Sequence, residues 1–539
     1  MKEEQSEEKL TSAISIAEKK PSSRREILAV LAIASTLSIS AFIYFFNHSM
    51  TNVYGDGVAH ANIARKVVDS PDDSLWQRYI QIGSPWLPLQ TVLMLPLVAN
   101  DWMWRTGAAG SIVSMIFYVI TALSLYNLAR LVYRDEEPRF KIWMPAVTCA
   151  IFLLNPSALY MQSTPMSEIV FMGAVAAAVL FLQRWAMDQT LKNLIIAAAI
   201  MTIATLSRYE AWPIAALSVL VVALIAKGNL FEKLKLTTLF ALIVTVGPAY
   251  WLWHNWAIFG NPLEFLTGPH SARGIFLQNQ ANLGWSKIFI GNALLDLLLM
   301  SATVAVILGP LLVMLAAAGF FRLIFSKRKA VIIYLPSLLL LAPFFFHAVS
   351  LYRGEIQIFP LSAFGLLNVR YGLPHLLAAA LFAPAIIPAL RRLNRAATLI
   401  VPLIIALQYW FLIGEGPSQM AIYQEGFRNG VNSRPSRERA RVASFLRENP
   451  SRPMILMLTG SLGGAISQGG LRFSEIIHEG TSRWHRIENE IPADVSTVIL
   501  EEGDALDRRI RENPSLIKYF NDGFQQVYTI GRIRIYWRK

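Results

Sequence analysis

An aspartate between two glycines stands just after the first apolar stretch of the chain, in the run Tyr54-Gly55-Asp56-Gly57-Val58-Ala59-His60. A carboxylate at the mouth of a membrane-buried bundle is costly to keep there, so Asp56 is the first catalytic candidate. Its glycine neighbours allow a tight turn and close approach of a ligand. His60 follows four residues later, a spacing at which two side chains on a helix can share one ion, but two ligands do not make a metal site. His254, His270, His347 and His375 also fall toward the outer side. An isolated histidine at an interface is ordinarily hydrogen-bonded structure, and no metal is assigned. Glu168, in Ser163-Thr164-Pro165-Met166-Ser167-Glu168, can assist Asp56. Alternatively Ser167 or Thr164 caps a helix and Glu168 complements its positive end. Glu210 sits two residues after Arg208 and either supports the site or pairs with that arginine. Asp72-Asp73 reads as a solvated turn after Pro71.

These residues need a membrane scaffold to bring them together. The chain has 539 residues, of which 54% are hydrophobic and 16% charged, and its mean hydropathy is +0.43. Such a composition excludes an ordinary soluble domain and indicates a mainly α, polytopic membrane protein. Apolar runs recur near 27–46, 106–129, 142–160, 165–183, 190–207, 211–226, 236–256, 298–321, 330–347, 373–390 and 397–413, which predicts about eleven transmembrane helices. With Lys19, Lys20, Arg24 and Arg25 in the cytoplasm, the inner loops become 130–141, 184–192, 227–235, 322–329 and 391–395. All five are basic, as the positive-inside rule requires. The formal charge of +13 is thereby read as topology, and nucleic acid is not expected as a partner. The first run is long enough to stay as an anchor. The lone Cys149 lies in an apolar run and can form no intrachain disulfide.

The topology places the N-terminus inside and the loops around Asp56, 257–287 and 348–371 outside. Residues 86–99 are apolar but short and broken by Pro88 and Pro96, so they are expected in the outer interface. Residues 59–68 are expected as an amphipathic helix with His60 and Ala64 on one face and Arg65 and Lys66 toward water or lipid phosphates. Past residue 418 the composition turns polar. A helix over 434–449 capped by Ser436, strands at 454–458 and 496–500, and a hairpin over 525–537 around Gly531 make a small C-terminal α/β extracytoplasmic domain. The 460–470 segment is glycine-rich but has neither nucleotide-loop spacing, and it reads as a loop and packed helix. The domains are therefore a cytoplasmic tail (1–26), a transmembrane domain (27–417) with its first outer loop at 47–105, and the outer domain (418–539).

Gly55-Asp56-Gly57 leading into Ala61-Asn62-Ile63-Ala64-Arg65, then Trp86-Leu87-Pro88-Leu89, and Asn368-Val369-Arg370-Tyr371-Gly372-Leu373-Pro374 together resemble the GT-C superfamily of membrane glycosyltransferases. Protein O-mannosyltransferases and lipid A aminoarabinose transferases belong to it. The resemblance spans the whole chain as architecture, while its motifs are short. Many members carry Asp-Glu where this chain has Asp56-Gly57, and the Trp-Trp-Asp signature of oligosaccharyltransferases is missing. The resemblance implies a GT-C-like catalytic domain over 27–417 and a polyprenyl-phosphate-linked sugar donor. It also implies a protein, lipid or glycan acceptor and no cofactor.

Nucleotide sugars are made in the cytoplasm, so a site facing out needs a donor that the membrane delivers. Asp56 would then take the proton of the acceptor hydroxyl and the sugar would invert, with Glu168 orienting the acceptor. Arg370, Arg208, Arg353 and Arg78, all at outer ends or in outer loops, are candidates for holding the departing phosphate, because the planar guanidinium grips two oxygens. Alternatively they snorkel to lipid headgroups. Arg370 lies in the family-like stretch. A transporter or flippase is the alternative class, and Asp296 is the only acidic residue of the spans that reads as deep.

Overall fold

The structure is a computed structural model that describes residues 24–539 apart from 73, 280–283, 327–330, 362–364, 394–395, 415–419, 451–453 and 488–489. Lys19 and Lys20 of the expected tail, Asp73, Lys329, Arg395 and the expected domain boundary at 417–418 lie outside the described residues.

The main helical elements in chain order are α1 (Arg24–Asn47), α2 (Gly55–Val68), α3 (Leu89–Val98), α4 (Ala108–Val132), α5 (Phe140–Leu153) and α6 (Glu168–Asp188). They continue with α7 (Leu191–Thr205), α8 (Ala211–Ile225), α9 (Leu230–Phe259), α10 (Ala293–Leu308), α11 (Pro310–Ser326), α12 (Ile332–Tyr352) and α13 (Val369–Arg392). The last four are α14 (Ile400–Ile413), α15 (Ala421–Gly426), α16 (Arg434–Glu448) and α17 (Thr459–Gly469).

Helices underlie the apolar runs, but the described residues do not confirm eleven spans. Six helices, α1, α4, α6, α9, α12 and α13, are long and apolar enough to cross a membrane. Helices α10 and α11 would make a seventh span, but they meet at 110°. Gly309 at their junction has φ +89°, and Pro310 starts the next helix without an N–H to continue the ladder. The freed N–H of Leu311 donates to Gln408 Oε1 at 2.9 Å. Helices α5, α7, α8 and α14 have 14 or 15 residues, and at 1.5 Å per residue they reach only about 22 Å. In the 142–160 run, Asn155 accepts from Ala158 N at 3.0 Å and caps a separate helix, Pro156–Met161.

Helix α6 is the buried axis of the bundle, and it closes on α4 at Gly173, where a Cβ would lie 2.7 Å from Phe117 O. By contrast α1, α9 and α14 expose Leu31, Ile39, Leu242, Val246, Leu403 and Trp410. Apolar faces of this extent on long helices need lipid, and the chain is an integral membrane protein.

Helix α2 begins at Gly55, four residues before the expected start, so Asp56 stands in its first turn. It also differs on its far face. Arg65 is buried, not turned to water: it bonds Val98 O at 2.7 Å, Asp69 at 3.2 Å and Asp101 at 2.7 Å, and stacks on Trp104. Lys66 donates to Thr459 Oγ1 at 2.5 Å. Residues 69–104 bury Arg65 and the C-terminal domain holds Lys66, which local sequence periodicity does not reveal.

That domain is a five-stranded sheet of order β2-β1-β3-β5-β4, formed by β1 (Ile455–Met457), β2 (Ile476–Ile477), β3 (Thr497–Glu501), β4 (Phe524–Ile530) and β5 (Ile533–Arg538). Strands β1, β2 and β3 run parallel, and β4 and β5 form the antiparallel hairpin around Gly531. Ser433, not Ser436, caps α16, because Pro435 is tolerated only in a first turn and sets the start early. The 460–470 segment folds mostly as α17, closed by Gly470 at φ +82°. Segment α15 lies past the compositional break at 418, yet Ala421 and Ile422 join the core of the helical bundle.

Candidate active site

Arg370 is the centre of an ionic cluster where α2, α6, α13 and α15 meet. Just before it, Asn368 adopts φ +53°, a left-handed turn that asparagine tolerates better than most residues. The carboxylate of Glu425 accepts from Asn368 N at 2.7 Å and Val369 N at 2.8 Å, which fixes the start of the 3-10 turn Val369–His375. So held, Arg370 donates through Nη2 to Asp56 Oδ2 at 2.6 Å, through Nε to Glu168 Oε1 at 3.1 Å and through Nη1 to Glu425 Oε1 at 3.4 Å. The rings of Tyr54 and Tyr371 lie 5.5 Å from its guanidinium carbon.

Glu168 carries the cluster onward. The same Oε1 accepts from Arg208 Nη1 at 2.8 Å, while Glu168 Oε2 is buried without a hydrogen-bond partner among the described residues. Arg208 Nε donates to Glu210 Oε1 at 2.9 Å, which also accepts from His347 Nε2 at 3.1 Å. Ser167 caps nothing with its side chain; its hydroxyl accepts from Arg208 Nη1 at 3.2 Å, and Thr164 donates to Met161 O. Four carboxylates thus surround two guanidinium groups. Burial pushes the Glu425 carboxyl above its ordinary value, against the pull of Arg370.

Asp56 is the open end of this cluster, with 41% of its side chain exposed against 10% for Arg370 and 0% for Glu168. Gly57 lets the first turn of α2 sit against the α6 entry, since a Cβ there would come within 2.9 Å of Pro165 Cγ. His60 packs against Trp86, ring centroids 4.7 Å apart. It lies close enough to Asp56, Glu168, Arg208 and Arg370 to feel their charges. Burial outweighs the attraction of the acids and lowers it to about 4, so it is neutral near pH 7. Among the described residues no three His, Cys, Asp or Glu side chains are grouped to hold a metal ion.

The structure thus brings Asp56, Glu168, Arg208, Arg370, Glu210 and His60 into one neighbourhood. It leaves the other two arginines out of the cluster. Arg78 braces the turn before its own helix through Asp72 O and Val68 O, and Arg353 is half exposed beside Glu355 at 2.8 Å. His254 bonds Tyr79 and Gly83 O. Asp296 is buried in the first turn of α10 with neither oxygen bonded among the described residues. Glu425 had no sequence signal, being a single acid in a polar segment read as part of the outer domain. His347 stood only in a group of outer histidines.

No family model and no curated protein matches the chain. Among solved structures it is similar to the Archaeoglobus fulgidus oligosaccharyltransferase in the apo form, with 14% identity and TM-score 0.47, over 96% of this chain and 75% of that one. It is also similar to archaeal oligosaccharyltransferase AglB from Archaeoglobus fulgidus with an inhibitory peptide and a dolichol-phosphate (14%, TM-score 0.46, 95% and 74%). A further similar structure is ArnT from Cupriavidus metallidurans bound to undecaprenyl phosphate (13%, TM-score 0.47, 96% and 98%). The likeness concerns the course of the chain and says nothing of individual residues.

Proposed function

We propose that this protein is a membrane glycosyltransferase that moves a sugar from a polyprenyl-phosphate-linked donor to an acceptor hydroxyl at the outer face of the membrane. The observation that carries this reading is the half-exposed Asp56 held 2.6 Å from the buried Arg370. A base and an anion-binding cation are the two groups such a transfer needs, since the departing phosphate requires little acid help. In the resting protein each occupies the other. When a donor phosphate arrives, its oxygens compete with Asp56 for the Arg370 guanidinium and with Glu168 and Glu210 for Arg208. Asp56 then turns to the acceptor, whose oxygen attacks the anomeric carbon. The bond from that carbon to the phosphate oxygen breaks, the electron pair leaves with the polyprenyl phosphate, and Asp56 holds the proton. A single displacement of this kind inverts the sugar.

Glu168, Glu210, His347 and Glu425 are proposed to align the two arginines, Glu168 thereby assisting Asp56 through Arg370. The expected domain arrangement is retained, except that α15 is taken as part of the catalytic body because it supplies Glu425. A transporter is the second reading, favoured by the buried, unbonded Asp296. Purified protein reconstituted into lipid vesicles, given labelled polyprenyl-phosphate sugars and candidate acceptors, separates the two. Release of free polyprenyl phosphate is expected, with a loss of about 10²–10⁴-fold in Asp56→Asn. Donor that crosses a vesicle membrane without being consumed would favour the transporter.

A further inference from the structure

In a sheet of order β2-β1-β3 with parallel strands, the crevice beyond the carboxyl ends of the strands, beside the point where the connections reverse, is where α/β folds take ligands. In the C-terminal domain the carboxyl ends of β1 and β2, next to that point, are occupied from within the chain. The N-terminus of α17, directly after β1, has its first N–H groups aimed at the carboxylate of Glu479, which follows β2. Thr459 N lies 2.9 Å and Gly460 N 3.0 Å from it, and Thr459 Oγ1 donates to it at 2.6 Å. Lys66 of α2 enters the same crevice and donates to the other side of the Thr459 hydroxyl. Burial lowers the Lys66 ammonium below its ordinary value despite the attraction of Glu479, while Lys66 and His478, against burial, draw Glu479 below its own.

Around this plug the same helix is held along one face. Asn62 donates to Gly463 O at 2.9 Å and accepts from Trp104 Nε1 at 2.9 Å, and Asp69 accepts from Phe473 N at 3.0 Å. Asn62, Lys66 and Asp69 are spaced i, i+4, i+7, whereas Asp56 and His60 form an i, i+4 pair on the opposite side. Beyond α2 the outer loop is gripped again, by Gln81 to Gly480 O at 2.7 Å and by Ser482 Oγ to Asp72 at 2.6 Å.

We infer that the C-terminal domain is a clamp whose ligand crevice has been given over to α2, and that Lys66, Thr459 and Glu479 are positioning residues that set where Asp56 stands. The catalytic part of this inference rests on the transferase reading, but the mechanical part does not. The test uses the full chain in nanodiscs and measures amide hydrogen exchange over 55–68 together with donor turnover. In Lys66→Met and in the milder Thr459→Val, exchange over 55–68 is expected to quicken by about tenfold while α4 is unchanged. Turnover should fall by about tenfold with KM for the donor within about threefold, and Lys66→Arg should restore both, since alignment rather than donor binding is lost. Unchanged exchange over 55–68 in both variants overturns the clamp. Faster exchange in a protein that transfers no sugar in any form keeps the clamp and removes the transferase reading.

Discussion

Arg370 directs donors at three carboxylates from three distant parts of the chain, and two of those carboxylates, Glu168 and Glu425, are buried. Removing the guanidinium therefore does two things. It takes away the proposed phosphate grip and strands buried acids, a defect worth about 3–5 kcal/mol. Arg370→Ala is expected to fail in folding or accumulation, which makes Arg370→Lys the informative variant. It keeps the charge but loses the fork, so kcat/KM for the donor should fall by about 2–4 kcal/mol in transition-state terms, with little change in Tm. Full activity in Arg370→Lys would move the phosphate role to Arg208. His60 gives a separate, pH-dependent expectation. Its folded value near 4 lies below the ordinary 6.5, so between those values the unfolded chain binds more protons. Stability is then whole above about pH 6.5 and is lost as the pH falls toward 4, by on the order of 1–2 kcal/mol at pH 5. His60→Gln should flatten that acid limb of the unfolding curve, and equal acid sensitivity in the two proteins would remove the assignment.

Helix α6 delivers Glu168 to the site, and it passes close to α4 at Gly173. Any side chain there would have to displace backbone, so Gly173→Leu should cost about 1–3 kcal/mol or more by overpacking and lower turnover with it. Thermal unfolding in detergent checks this, and a neutral result would mean the two helices can separate freely. Elements were legible where period and punctuation agreed. The hairpin around Gly531 and the helix after Asp56 both followed from local pattern. Spans were less legible, because hydropathy counts apolar residues but does not see where Gly309-Pro310 or Asn155-Pro156 ends a helix inside an apolar run. The caps at Ser433 and the early start at Gly55 shifted for the same local reason, that a helix end is decided by backbone geometry within one turn.

At the scale of the whole molecule, the proposed chemistry requires the cluster and the C-terminal domain to share the outer side. Reporter fusions at Ser326 and after Met420 are expected to read opposite compartments, and a common compartment would sink both the topology and the membrane-delivered donor. Membrane residence, a helical body with a polar α/β domain after it, and Asp56 and Arg370 as candidates could be read from the residues alone, since hydrophobicity, period and charge are local properties of a chain. Tertiary structure alone decided that Asp56, Glu168, Arg208, Glu210 and Arg370 meet while Arg78 and Arg353 do not. It alone recruited Glu425, and it turned Arg65 and Lys66 inward. Contacts across 202 or 314 residues, such as Arg370 to Glu168 and to Asp56, depend on how helices pack, and packing is set by shape complementarity summed over the bundle rather than by any signal in the neighbouring sequence.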